Sequence, residues 1–174
     1  MRVFVALTLP EDTVCDLEAV QARLPRGRPV PPENLHLTLA FLGDQPVEVI
    51  EAVHEGLSDL RASPFTIDLS QPALFGGARG QALGLEADGG AHLHELHDRV
   101  RSRVRGAGAQ IERRRFRPHV TLARLSGRES PAPLLAALTG TTIGPVLLTQ
   151  MVLVASLLRP EGAEYDVLAA YPLT

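Results

Sequence analysis

The chain has 174 residues, 45% of them hydrophobic, with a mean hydropathy near zero; this suits one globular domain spanning 1–174 and excludes a disordered chain. Seventeen basic residues, every one an arginine, stand against 20 acidic ones for a net charge of −3, so the overall balance does not announce nucleic acid and any such contact must be local. A single cysteine, Cys15, excludes an internal disulfide, as expected in a reducing cytoplasm.

Val3 to Leu9 reads as a buried strand. Its apolar run is cut by Pro10, Glu11 and Asp12 without a cleavage site, which argues against a signal peptide. Glu11 to Leu24 follows as a helix, with Val14, Leu17, Val20 and Leu24 at three- to four-residue steps and Cys15 expected to pack. Pro25 to Pro32, P-R-G-R-P-V-P-P, is expected to be irregular and to form part of a rim. A strand from His36 to Leu42 comes next, then a helix from Val47 to Leu60 whose inner face carries Ile50, Val53, Leu57 and Leu60. His54 lies beside that face, in a core or surface role.

Phe65 to Leu69 and Pro72 to Phe75 read as two short strands, with Gly76, Gly77 and Gly80 as a flexible link to a strand over Gln81 to Ala87. These glycines do not form a dinucleotide-binding fingerprint. Ala91 to Arg105 is a third helix with Leu93, Leu96, Val100 and Val104 inward. It carries His92, His94 and His97, but His92 and His94 point about 200° apart on a helix and cannot hold one ion together. No metal or other cofactor is expected. Arg113, Arg114, Arg115 and Arg117 form the one basic cluster ahead of a strand at His119. A short helix introduced by Pro131 and Pro133 runs to Leu138. Val146 to Leu148, Met151 to Leu157 and Tyr165 to Ala170 close the chain as apolar strands expected to be well buried; Gly140, Gly144, Pro145 and Gln150 argue against a membrane helix there.

Two of these strands are near copies. H-L-T-L-A-F-L from His36 and H-V-T-L-A-R-L from His119 agree at five of seven positions, and 83 residues separate the histidines. Strict alternation gives each strand a face bearing an imidazole and a hydroxyl: His36 and Thr38 with Ala40, and His119 and Thr121 with Ala123 and Arg117. Phe41 and Arg124 then fall on the opposite faces. Two imidazoles can supply a general acid and a general base, and two hydroxyls can donate to an anion held between them.

The repeated H-x-T-x motif, with F-R-P-H-V-T-L-A-R around the second copy, resembles the two-histidine (2H) phosphoesterases, in particular their RNA 2′,3′-cyclic phosphodiesterase branch, also called 2′-5′ RNA ligases. R-V-F-V-A-L-T-L-P at Arg2 to Pro10 is similar to that branch's first strand, and S-L-L-R-P-E-G-A-E-Y at Ser156 to Tyr165 to its closing hairpin. The resemblance implies an α+β bilobed fold: two antiparallel-rich sheets facing across a central cleft, helices packed outside, and the histidines meeting at a pseudo-twofold axis.

It further implies an enzyme acting on RNA or a nucleotide that bears a 2′,3′-cyclic phosphate; a monomeric, cytoplasmic protein with no membrane partner is expected. His36 would be the proton donor and His119 the proton acceptor, with Thr38 and Thr121 on the non-bridging oxygens. Arg124 matches an arginine that the family uses against the phosphate, and Phe41 is its symmetry mate, suited to a base. Alternation leaves Arg124 facing away from His119 unless the strand end curls or a bulge resets the pleat, with Arg117 as the substitute on the correct face. Two other readings remain open: ligation of cyclic-phosphate and 5′-hydroxyl RNA ends by the same residues, and a non-catalytic RNA-end binding module.

Overall fold

A computed structural model describes residues 1–77 and 80–174. In chain order the elements are β1 (Arg2–Thr8), α1 (Glu11–Gln21), β2 (Arg28–Pro29), β3 (His36–Asp44), α2 (Val47–Ser58), β4 (Phe65–Gly77), β5 (Gly80–Asp88), α3 (Gly90–Gly106), β6 (His119–Leu125), α4 (Ala132–Leu138), β7 (Ile143–Leu148), β8 (Gln150–Arg159) and β9 (Gly162–Pro172). The strands follow the path β7-β4-β5-β6-β3-β1-β8-β9, all pairings being antiparallel, with β2 added on β6. The α+β class and its two halves thus stand, four strands on each side of the β6–β3 junction. The halves are continuous through that junction, where Leu37 and Val120 are the only paired residues among those described.

Helix α1, which follows the first strand of one half, packs on β6 and β7 of the other, and α3 packs on β3 in return. Each motif strand is therefore backed by a helix from the opposite half. The apolar stripes read from the sequence face inward as expected: Leu17 and Val20 on α1, Val53 and Leu57 on α2, and Leu93, Leu96, Val100 and Val104 on α3 are all buried. They join Leu37, Val120, Leu83 and Leu85 in one core that runs beneath both halves.

Several local expectations are corrected. The Pro and Arg loop is not wholly irregular, because Arg28 and Pro29 pair with Arg124 and Ala123. The two short strands after Phe65 are one strand, since a bulge at Gln71, where φ is 60°, lets Pro72 rejoin the ladder without an N–H to give. Gly76 and Gly77 pair with Gln81 and Gly80, so they extend a hairpin instead of loosening it; the turn itself lies outside the described residues. Strand β9 is an edge with Val167 57% and Leu168 38% exposed, and is not well buried. Cys15 faces solvent, one step off the inner stripe of α1.

Both motif strands carry a bulge at the same offset. Along β3, Ala6 pairs with Thr38 and Val5 with Ala40, so Leu39 has no partner; along β6, Gly84 pairs with Thr121 and Leu83 with Ala123, so Leu122 has none. Leu39–Ala40 and Leu122–Ala123 are consecutive buried pairs as a result, and the alternation restarts beyond them. Gly84 allows β5 to lie close to the second of these strands. A Cβ there would meet the Val120 carbonyl oxygen at 2.6 Å and the Phe75 ring at 3.4 Å. Gly84→Ala is expected to lower the unfolding free energy by about 1–3 kcal/mol, as overpacking does. A denaturant titration checks this, and a native midpoint would show that β6 yields freely.

Candidate active site

His36 opens β3 directly after a turn that begins at Pro31 and Pro32. Its Nδ1 lies 2.6 Å from the Asn34 carbonyl oxygen, which can only accept, so Nδ1 carries the proton. Nε2 is then the free lone pair, and the Thr38 hydroxyl donates to it over 2.9 Å. Asn34 is itself buried, and its Nδ2 donates to the Ala163 carbonyl at the start of β9 over 2.8 Å. The imidazole stacks on Phe4 at 5.0 Å and meets the edge of Tyr165 at 5.6 Å.

His119 repeats the backbone arrangement with different neighbours. Nδ1 donates to the Arg117 carbonyl over 2.6 Å, which again leaves Nε2 as the outward lone pair. Its ring stacks on Phe75 with centroids 3.6 Å apart and planes 7° from parallel. The Arg117 guanidinium lies over the same phenyl ring at 4.5 Å and reaches the Glu86 carboxylate at 3.6 Å. Glu86 is the cross-strand partner of His119. Neither His119 Nε2 nor the Thr121 hydroxyl is hydrogen-bonded to protein among the described residues, unlike their counterparts on β3.

The single Leu37–Val120 pair sets how the two motifs meet. Both residues are fully buried, so the flanking residues must point to the other side. Continuing the antiparallel register by one residue each way puts His36 beside Thr121 and Thr38 beside His119. Arg124 completes the group, because its charge acts on His36, His119 and Tyr165 alike. Removal from water pushes both motif imidazoles below the ordinary histidine range. For His36 the hydrogen bond to Asn34 partly offsets this, while His119 and Arg124 add to it; for His119 the Arg117 carbonyl and the Glu86 charge offset it in part.

The structure corrects two placements. Phe41 and Arg124 do not lie on the faces opposite the histidines, because the bulges at Leu39 and Leu122 return both to the motif faces. Phe41 is 66% exposed, with its ring 5.9 Å from Phe4. Ala40 and Ala123, expected on those faces, are buried instead. Arg117 is on the expected side but engaged by Glu86 and Phe75, whereas Arg124 is exposed and forms no ion pair among the described residues. In the basic cluster, Arg114 pairs with Glu112.

The α3 histidines do not converge. His92 stacks on Phe65, His97 stacks on Phe116, and His94 meets the edge of Phe116. No three His, Cys, Asp or Glu side chains among the described residues are grouped to hold a metal ion. A hollow of about 300 Å³ beside Arg61, His92 and Arg99 includes neither motif. Sequence reasoning missed Phe4, Phe75, Glu86, Asn34 and Arg28. None lies within a motif; cross-strand pairing brings Phe4, Phe75, Glu86 and Arg28 to it, whereas Asn34 acts from the turn two residues before His36.

A family model described as the 2′-5′ RNA ligase superfamily matches residues 10–157. The chain is 36% identical over 185 aligned positions to the RNA 2′,3′-cyclic phosphodiesterase of Thermus thermophilus, covering 99% of this chain and 90% of that one. Among solved structures it is similar to a phosphoesterase, with a TM-score of 0.81, 28% identity and coverage of 99% and 98%. It also resembles Escherichia coli LigT complexed with 3′-AMP, with a TM-score of 0.77, 28% identity and the same coverage.

Burial lowers the pKa of His36, His97 and His119 in the folded chain. The unfolded chain takes up these protons first, so stability is full above about pH 6.5 and falls as pH drops toward the folded values. Urea unfolding between about pH 7.5 and 5.5, where ordinary carboxylates stay ionised, is expected to show a decreasing unfolding free energy. A flat or rising profile would contradict the neutral, buried state of these rings.

Proposed function

This chain belongs to the 2′-5′ RNA ligase superfamily, and from that premise we propose that it is an RNA 2′,3′-cyclic phosphodiesterase that opens the terminal ring to a 2′-phosphomonoester. The observation that carries the reading is the pair of imidazoles on adjoining strands. Each has Nδ1 tied to the carbonyl two residues before it and Nε2 left as the reactive lone pair.

Hydrolysis needs a proton taken from water as it attacks phosphorus and a proton given to the departing ester oxygen. In the proposed assignment His119 Nε2 accepts from water and His36 Nε2 donates to O3′. Its unengaged Nε2 suits His119 to a water, while Thr38 already holds His36 Nε2 in line. Thr121 donates to a non-bridging oxygen, Thr38 does so once His36 Nε2 is protonated and no longer accepts its hydroxyl proton, and Arg124 supplies the cation. In the free protein both imidazoles favour the neutral form. An anionic phosphate between them reverses that bias and helps His36 take up the proton it must deliver.

The nucleoside is placed on the side of Phe41, where Phe4 and Tyr165 also present their rings to the His36 face. The same residues serve ligation if a 5′-hydroxyl RNA end replaces water as the nucleophile: the P–O5′ bond forms as the P–O3′ bond breaks, which gives the 2′-5′ linkage in the family's description. A single domain working as a monomer belongs to this reading, supported by the placement of both histidines over one core in one chain. The sole cysteine, exposed and free, suits a cytoplasmic setting.

His36→Ala and His119→Ala are each expected to lower turnover of a 2′,3′-cyclic phosphate by about 10²-fold or more. Near-native rates in either variant would remove the two-histidine mechanism. The orientation is checked separately by phosphorus NMR of the product, expected to be the 2′-phosphate; mainly 3′-phosphate would reverse the acid and base assignment.

A further inference from the structure

The loop from Pro25 to Pro32 is pinned to the site. The Val30 N–H donates to the Leu122 carbonyl over 2.9 Å, and Gln21 on α1 donates through Nε2 to the carbonyls of both Val30 and Leu122 at 2.9 and 2.8 Å. The outcome is that β2 sets Arg28 directly opposite Arg124. Cross-strand partners share a face, and like charges facing each other destabilise a sheet. Both side chains are exposed, and neither makes an ion pair or a side-chain hydrogen bond among the described residues. The Arg28 guanidinium does not turn away into solvent; it lies against Gly162 at the β8–β9 turn, where an added Cβ would come within 3.2 Å of Nη2. That turn is the one that Asn34 ties to His36 and that leads into Tyr165. A facing pair of guanidiniums with no acidic partner among the described residues, beside an acid and base pair, suits two anionic groups, one more than the reacting phosphate provides.

We propose that Arg28 binds the phosphate on the 5′ side of the terminal nucleotide, while Arg124 faces the cyclic phosphate. This rests on the phosphodiesterase reading above and extends it from the reacting group to the preceding position of the chain. Arg28 thereby makes the enzyme favour ends that carry a 5′-phosphate or phosphodiester over a bare nucleoside 2′,3′-cyclic phosphate.

The test compares kcat/KM on three substrates: a nucleoside 2′,3′-cyclic phosphate with a free 5′-hydroxyl, the same with a 5′-phosphate, and a dinucleotide ending in the cyclic phosphate. The native enzyme is expected to prefer the second and third by about 10-fold, the size of one charge-assisted phosphate contact. Arg28→Ala should bring that ratio down to about one to two. It should also reduce the salt slope on the dinucleotide by about 1, with Arg28→Lys in between. A native enzyme without the preference, or a preference that survives Arg28→Ala, would overturn the subsite. So would an equal loss on all three substrates, which would put Arg28 on the reacting phosphate or in the fold. A dinucleotide preferred over the 5′-phosphorylated mononucleotide by the full factor would show that the next nucleoside is recognised and overturn the phosphate assignment. If the native enzyme turns over none of the three, the phosphodiesterase reading itself falls, and the subsite with it.

Discussion

One residue pair, Leu37 with Val120, holds the two halves of the sheet in register, and the geometry of the site follows from it. Because both side chains are buried in the shared core, the next residues on each strand must face the opposite side. Those residues are the two histidines and the two threonines. A slip of one residue at this junction would exchange the buried and site-facing sets. The register is protected by burial on one side and by helices exchanged between the halves, α1 behind β6 and α3 behind β3.

The paired bulges do what strict alternation cannot. A strand that keeps its pleat presents positions 0, 2 and 4 from the histidine, which would offer Ala40 and Ala123 to the site. Leaving Leu39 and Leu122 unpaired sends two consecutive residues into the core, and position 5 returns to the site face instead. Phe41 and Arg124 occupy that position. The same backbone irregularity thus delivers an aromatic ring in one half and a cation in the other.

Likeness in the backbone coexists with asymmetry in the surroundings. Both Nδ1 atoms donate to a carbonyl two residues earlier at 2.6 Å. The side chains in direct contact with His36 are uncharged: the Phe4 and Tyr165 rings and the Thr38 hydroxyl. Around His119 there is a stack of imidazole on Phe75, with Arg117 over that ring and Glu86 on Arg117. The carboxylate favours the charged imidazole and the neighbouring arginines oppose it, whereas no acidic group among the described residues offsets the burial of His36. Two groups of one chemical type are thus placed in different electrostatic settings.

The three long helices, most strands and the chemistry-bearing pair are legible in the sequence. Apolar periodicity located α1, α2 and α3, and the repeated H-x-T with its flanking L-A-x-L located both site strands, because these signals lie within ten or so consecutive residues. It also carried the resemblance that implied the fold. What it could not contain was any relation between distant segments. Arg124 and Phe41 faced the wrong way because a bulge arises from the pairing of two strands and leaves no mark in the period of one. Phe75 and Glu86 read as ordinary strand residues, and only register places them against a histidine. The Pro and Arg loop shows no strand pattern at all, since two residues are too few to alternate; hydrogen bonds from the Val30 N–H to the Leu122 carbonyl and from Gln21 to the Val30 and Leu122 carbonyls make it a strand and set Arg28 opposite Arg124. Local chemistry was legible because side-chain type and spacing are local, and the site's asymmetry was not, because it is made of contacts between residues that only the tertiary structure brings together.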